Sequence, residues 1–182
     1  MKQIVTGQAL LILCCIFYLL WWYRGYRPGV TASRVGGING ILLLITAALG
    51  IAGVVFSMMK AAPVQAEKIR PMHIIIAGII SYISLLLVTR YCFGRIVTTE
   101  LVLIVGWTML EVSVINQLNA AGCLSDGRYV FMCIVIAAAF IISMALYVAY
   151  YRMEEMKAFY AAMVPLVTEG AAMAVLIGIL FL

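Results

Sequence analysis

The sequence has little charge. Only 10% of its 182 residues are Asp, Glu, Lys or Arg, whereas 66% are hydrophobic, and the mean hydropathy is +1.17. A soluble domain of this length needs a much larger charged fraction to cover its surface. This scarcity excludes an ordinary soluble protein and indicates a chain that is surrounded by lipid.

Histidine is also scarce, since His73 is the single one. The chain therefore cannot supply a bis-histidine haem site, an H-E-x-x-H zinc site or a Ser–His pair. It has no glycine-rich phosphate loop, and it has no basic patch of the kind that binds nucleic acid. We therefore expect no cofactor, no metal, no catalytic residues and no nucleic-acid partner.

Five cysteines are present, but they predict no disulfide framework. Cys92 and Cys123 fall in consecutive linkers, hence on opposite sides of a membrane, and cannot pair. Cys14, Cys15 and Cys133 fall within apolar stretches, where a thiol is a small apolar filler.

Six long apolar stretches account for most of the chain. A helix needs roughly 20 apolar residues to cross the hydrocarbon core of a bilayer, and each stretch is close to that length. Because the linkers are short, we expect neighbouring helices to be antiparallel. The prediction is an all-α, polytopic integral membrane protein, with six transmembrane helices in one bundle and residues 1–182 in a single membrane domain. The stretches cover residues 4–22, 38–59, 72–88, 96–115, 129–150 and 162–182.

Basic residues in the linkers weakly favour one orientation. Seven fall on one side of the predicted bundle and five on the other. Because cytoplasmic loops are enriched in Lys and Arg, we expect both termini to lie outside a cell (plasma) membrane, although a dual topology stays open. The seven are Arg24, Arg27, Arg34, Arg90, Arg95, Arg152 and Lys157, and the five are Lys2, Lys60, Lys68, Arg70 and Arg128.

The two halves of the chain resemble each other at one place. Residues 4–13 align with residues 96–105 at an offset of 92, and five of the ten positions are identical. With three helices per half, such a repeat would be inverted in the membrane, as in many transporters. The alternative is that two apolar segments match through composition alone. Residues 1–91 and 92–182 are therefore candidate half-repeats.

Three of the seven acidic residues fall within the predicted helices, namely Glu100, Glu111 and Glu169. A carboxylate in hydrocarbon costs a few kcal/mol on insertion scales, so we expect it to face a cavity or a partner. No Lys or Arg lies deep in an apolar stretch to neutralise these acids. A buried carboxylate without a cationic partner can couple proton movement to another process, which is the basis of a transport hypothesis.

Glu169 is the sharpest candidate, because it lies near the middle of the last apolar stretch. Pro165, one turn earlier, leaves the carbonyl of Ala161 without its usual amide partner. A loosened helix beside a central carboxylate suits an ion or proton site. The alternative is a protonated Glu169 that bonds a neighbouring helix and only holds the structure together.

Glu100 and Glu111 are eleven residues apart, which places them within about 20° of the same helix face. Trp107 shares that face. The three side chains could line a path with an aromatic constriction halfway. Alternatively, the two acids extend to opposite headgroups, and Arg95 neutralises Glu100.

Asn39 and Tyr82 add polar atoms within or near the predicted helices. Together with the three acids and Trp107, they complete the set of candidate transport or proton-site residues.

These observations favour a small membrane transporter or channel that is linked to protons or cations through intramembrane carboxylates, with a small solute or ion as its substrate. The second hypothesis is a non-catalytic membrane subunit, sensor or assembly factor of a larger complex, whose partner is another membrane subunit or a second copy of the chain. An intramembrane lipid-modifying enzyme is the third hypothesis, although no nucleophile or metal set accompanies the acids.

Overall fold

The computed structural model describes residues 2–29, 36–59, 67–94 and 99–181. Over these ranges the chain forms seven α-helices, one turn of 3₁₀ helix and no strand. The elements are α1 (Lys2–Tyr26), α2 (Ile38–Ser57), α3 (Pro71–Phe93), α4 (Thr99–Ala120), α5 (Asp126–Ala149), the 3₁₀ turn (Tyr150–Arg152), α6 (Glu155–Ala161) and α7 (Val164–Phe181).

Six helical segments are long and apolar enough to cross a membrane. They are α1 to α5 and the α6–α7 segment Glu155–Phe181. The prediction of an all-α chain with six such helices is therefore confirmed.

The six segments lie side by side in the order α2, α1, α7, α5, α4 and α3. Hydrogen bonds between helix ends show that α1 and α2, and likewise α5 and α7, run antiparallel. Gln8 near the start of α1 meets Ser57 at the end of α2, and Arg128 near the start of α5 meets Ile179 near the end of α7. We call the end of the bundle at which α1 begins the near end, and the opposite end the far end.

Helices α1 and α2 approach each other closely at glycine residues. A Cβ atom on Gly7 would lie 2.5 Å from the backbone nitrogen of Ser57 and 2.9 Å from the carbonyl oxygen of Gly53. A Cβ atom on Gly53 would lie 2.7 Å from Cγ of Leu11. Small surfaces of this kind let helix backbones approach in lipid. As a result, α2 packs almost wholly against α1.

Helix α4 is the most deeply buried of the six and joins two apolar clusters. The cluster in the near half draws on α1, α4, α5 and α7, and the cluster in the far half draws on α4 and α5. The near cluster comprises Ile4, Val114, Ile115, Leu118, Leu124, Met132, Ile136 and Leu176, and the far cluster comprises Leu101, Ile104, Val105 and Tyr147.

Most of the helices extend beyond their apolar stretches, and α3 and α4 each do so by five residues at their C-terminal ends. Helix α3 continues past residue 88 to Phe93, where Gly94, with a φ of 65°, provides the left-handed residue that commonly ends a helix. Helix α4 continues past residue 115 to Ala120, because polar side chains at its end bond the near-end linkers. The predicted start of that stretch, residues 96–98, lies outside the described residues, as do Arg34, Lys60 and Arg95.

The linker before α3 is fastened to α4 by the wholly buried Asn116. Its Nδ2 donates to the carbonyl oxygen of Ile69 at 2.7 Å and to Oε2 of Glu67 at 2.9 Å. Its Oδ1 accepts from the Ile69 amide at 3.2 Å. In addition, Lys68 and Asp126 form an ion pair at 2.6 Å. These bonds fix the start of α3 against α4 and α5.

Helix packing differs between the two halves of the chain. Helix α5 packs along α7, whereas the corresponding pair, α2 and α3, makes at most marginal contact over the described residues. The short helix α6 has no counterpart in the described part of the first half. The inverted repeat therefore stays a prediction.

Candidate functional site

A cavity of about 940 Å³ lies between α1, α2, α4 and α7. It extends from Met58 and Pro71 toward the near end to Glu100 and Tyr150 toward the far end. Its walls are mainly aliphatic, and the described residues that line it include no Lys, Arg or His. The polar and aromatic residues of the lining are Cys14, Cys15, Tyr18, Trp22, Thr46, Glu100, Trp107, Ser113, Tyr147, Tyr150 and Glu169.

The cavity opens sideways, between α2 on one side and α3 and α4 on the other. Ile51 on α2 and Leu103 on α4 both line it, and they are 69% and 61% exposed on the outer surface of the bundle. Glu169 and Met173, by contrast, form its floor on α7 and are buried. The opening therefore lies along the apolar flank of the bundle rather than at one of its ends.

Glu169 is placed by an interruption of the last helical segment. Helix α6 ends at Ala161, and α7 begins at Val164. Pro165, in the first turn of α7, has no N–H to continue the preceding helix. The sequence predicted a loosened helix at this point, and the structure has a break between two helices. Glu169 follows one turn later, is only 7% exposed and lines the cavity.

The carboxylate of Glu169 has no hydrogen-bond or ion-pair partner among the residues that the structure describes. The alternative prediction was a Glu169 that bonds a neighbouring helix as structural support. Within the described ranges, Glu169 makes no such bond. Thr168, next to it, instead bonds its own helix through the carbonyl oxygen of Pro165 at 2.8 Å.

One face of α1 connects the three acids. Gln8, Leu11, Cys15, Tyr18 and Trp22 follow one another at spacings of three and four residues, which keeps them on one side of a helix. Gln8 bonds Glu111, whereas Cys15 and Tyr18 lie within electrostatic reach of Glu169 and Glu100, respectively. The acids are thus ordered along the bundle, with Glu111 toward the near end, Glu169 between and Glu100 toward the far end.

Glu111 lies behind the cavity wall rather than on it. It is 1% exposed, and its Oε1 accepts a hydrogen bond of 3.0 Å from Nε2 of Gln8. The same Nε2 lies 3.4 Å from the hydroxyl of Ser57. Gln8 Oε1 and Glu111 Oε2 have no partner among the described atoms. Glu111 is still close enough to Glu169 for their charges to interact.

The structure thus brings Glu100, Trp107 and Glu169 to one cavity, with Glu111 one layer away. Glu100 and Glu111 are separated by about 16 Å along α4, from eleven residues at 1.5 Å each. Trp107 lies between them, and its buried Nε1 has no partner among the described atoms.

Asn39 and Tyr82 do not line the cavity. Asn39 is buried at the far end, where its Oδ1 accepts a hydrogen bond of 3.3 Å from Nε of Arg24. Tyr82 is half-buried on α3 and packs against the far apolar cluster. Both side chains therefore contribute to helix packing in this arrangement.

Trp22 and α6 cover the far end of the cavity. The Trp22 ring stacks on Tyr26, with centroids 4.2 Å apart, and its Nε1 donates to the carbonyl oxygen of Phe159 at 3.4 Å. Helix α6 is therefore held across the end of α1. This cover leaves the sideways opening as the wide access to the cavity.

Sequence reasoning missed Gln8, Cys15 and Tyr18 as neighbours of the acids. The available signal was the spacing of polar and aromatic residues along α1, because Gln8 is an amide within an otherwise apolar stretch. An intramembrane amide is expected to find a polar partner, and the acids of the other helices were the natural candidates.

In the described ranges, no group of three or more His, Cys, Asp and Glu side chains is arranged to hold a metal ion. No protein-family model, no curated protein and no solved structure matches this chain.

Proposed function

We propose that the protein is an integral protein of a cell membrane and a small transporter that is linked to protons or cations through Glu169. The observation that supports this is a carboxylate that is nine-tenths buried, lines a large cavity and has no hydrogen-bond or ion-pair partner in the described part of the chain. An acid within a membrane is costly, and such residues typically mark ion pathways and proton relays.

No described residue near Glu169 balances its charge. The described titratable groups that face it or lie nearby are thiols, phenols and further acids, so none of them is a cation at neutral pH. A proton and a cation can therefore compete for the same carboxylate, which couples the movement of one to that of the other. These groups are Cys14, Cys15, Tyr18, Glu100, Glu111, Tyr147 and Tyr150.

Glu100 and Glu111 extend the route toward the two ends of the bundle. Glu100 lines the cavity toward the far end. Glu111, paired with Gln8, lies toward the near end within electrostatic reach of Glu169. In this proposal, protons exchange between Glu169 and the two aqueous phases by way of these acids.

The orientation in this proposal places the far end in the cytoplasm and both termini outside. Five described basic residues lie at the far end and four at the near end, in keeping with the enrichment of Lys and Arg in cytoplasmic loops. The former are Arg24, Arg27, Arg90, Arg152 and Lys157, and the latter are Lys2, Lys68, Arg70 and Arg128.

A role as a non-catalytic subunit of a larger membrane complex is favoured by one observation. Helix α3 buries Ile74, Gly78 and Thr89 but leaves most of its apolar surface uncovered. A partner helix could lie there, although the acyl chains of lipids satisfy the same surface. Flux through the isolated protein would exclude an obligatory partner.

The test is to reconstitute the purified protein in liposomes and to record proton flux and currents after pH jumps, alone and with a panel of small solutes. We expect a pH-dependent flux in the native protein and its loss in Glu169→Gln. Glu155→Gln, at the exposed start of α6, is the matched control and should keep the flux. Absence of flux from correctly inserted native protein would contradict the proposal.

A further inference from the structure

We propose that the cavity binds hydrophobic organic cations, which reach it sideways from the bilayer and place their charge against Glu169. This inference rests on the proposed function, because it names the substrate class of the same site. Three features support it, namely the composition of the cavity walls, the charge of the site and the position of the opening.

The cavity walls suit an organic molecule rather than a bare metal ion. A volume of about 940 Å³ falls in the usual range for sites that bind organic ligands. Hard inorganic cations need six or more oxygen ligands at close range. Here the side-chain oxygens of the described lining are spread over several helices and set among aliphatic side chains. They belong to Tyr18, Thr46, Glu100, Ser113, Tyr147, Tyr150 and Glu169.

The charge of the site selects a cation. Glu100 and Glu169 line the cavity, and the described lining includes no basic side chain. The rings of Tyr18, Trp22 and Trp107 line it as well, and the face of an aromatic ring attracts organic cations. An anion of the same shape would meet the carboxylate of Glu169, which has no ion-pair partner among the described residues.

The sideways opening lies where a hydrophobic cation accumulates. Ile51, Val55 and Leu103 line the cavity and are also exposed on the outer apolar surface. An amphiphilic cation can pass between α2 and α4 without crossing a polar surface. At the far end, Trp22 and α6 cover the cavity, so access from the membrane plane is the less obstructed route.

The test is equilibrium binding of tetraphenylphosphonium to the purified full-length protein in lipid nanodiscs, measured by calorimetry. We expect saturable binding to the native protein. Tetraphenylborate, an anion of the same size and shape, should not bind. Glu169→Gln should weaken tetraphenylphosphonium binding by about 30-fold or more, since a buried charge loses its counter-charge. Glu155→Gln should bind as the native protein does.

The outcomes separate this inference from the proposed function. Native protein that conducts protons in liposomes but binds neither ion overturns the organic-cation site and leaves proton transport intact. Equal binding of both ions, or full binding by a folded Glu169→Gln variant, also overturns it, because Glu169 would then not select charge. Selective binding without any flux would support the site and contradict the transport function.

Discussion

Gln8 of α1 and Glu111 of α4 meet within the bundle, where Nε2 of the amide donates a 3.0 Å hydrogen bond to Oε1 of the carboxyl group. The two residues are 103 positions apart in the chain, and both are almost wholly buried. This bond fixes the register between α1 and α4. It also sets the height at which Cys15 and Tyr18 face the other two acids.

Removal of the Gln8 amide should destabilise the protein. In Gln8→Ala, Glu111 keeps its burial but loses its hydrogen bond, which is expected to cost about 2–3 kcal/mol. Unfolding in detergent micelles, followed by circular dichroism, measures the change. Gln3→Ala, at an exposed position of the same helix, should leave the stability nearly unchanged. Equal stability of the two variants would show that the Gln8–Glu111 hydrogen bond contributes little to the packing of α1 against α4.

A methyl group on Gly7 should separate α1 from α2. Its Cβ atom would lie 2.5 Å from the backbone nitrogen of Ser57. A backbone atom cannot relieve this clash by a rotamer change, as a side-chain atom could. Gly7→Ala is therefore expected to destabilise the protein by about 1–3 kcal/mol or more. Gly178→Ala is the matched control, because nothing lies within 4 Å of its Cβ position. In the same unfolding assay, Gly178→Ala should be as stable as the native protein, or slightly more stable because alanine has the higher helix propensity.

Loss of the Asn116 side chain should release the linker before α3. Asn116→Ala removes three hydrogen bonds to Glu67 and Ile69, with an expected cost of about 2–3 kcal/mol. Amide hydrogen exchange of Ile69 and of the first turn of α3 should increase. Glu67→Gln keeps an acceptor for Asn116 and should leave the exchange unchanged. If exchange is the same in Asn116→Ala as in the native protein, Asn116 does not hold this linker.

A large side chain at Gly106 should impede the sideways opening without unfolding the protein. Gly106 lies at the cavity rim on α4, and no atom lies within 4 Å of its Cβ position. We expect Gly106→Phe to keep native stability and to lower uptake of tetraphenylphosphonium into proteoliposomes by about tenfold or more, since bulk at an access path mainly affects rates. Gly178→Phe, equally open but away from the cavity, should transport normally. Native uptake by Gly106→Phe would place the access route elsewhere.

The number and position of the long helices could be predicted from the sequence, because each is a run of apolar residues of about the length that crosses a bilayer. A weak point in the helix before Glu169 could be predicted as well, since Pro165 has no N–H to donate to the preceding turn. The shared face of Glu100 and Trp107 follows from helical periodicity. These three features depend on local sequence, and the structure has them.

The partner of Glu111 could not be predicted, because the rotation of α4 against α1 depends on side chains far apart in the chain. Nominal periodicity places Glu111 on the face of Glu100, whereas the close approach of α1 and α2 through Gly7 brings Gln8 and Ser57 against it. Only their polarity makes Asn39 and Tyr82 candidates in the sequence, and polarity does not determine which way a side chain faces. The position of α6 across the end of α1 likewise depends on a long-range contact, the bond from Trp22 to the carbonyl oxygen of Phe159.

The most direct test of the central claim is proton flux in proteoliposomes, recorded side by side for single substitutions of the acids. Glu169→Gln should abolish the flux, because Glu169 is the acid at the floor of the cavity. Glu100→Gln should reduce it, because Glu100 lies on the route at the far end, and the exposed Glu155→Gln should leave it unchanged. Native flux from a folded Glu169→Gln protein would contradict the claim that this carboxylate is the transport site.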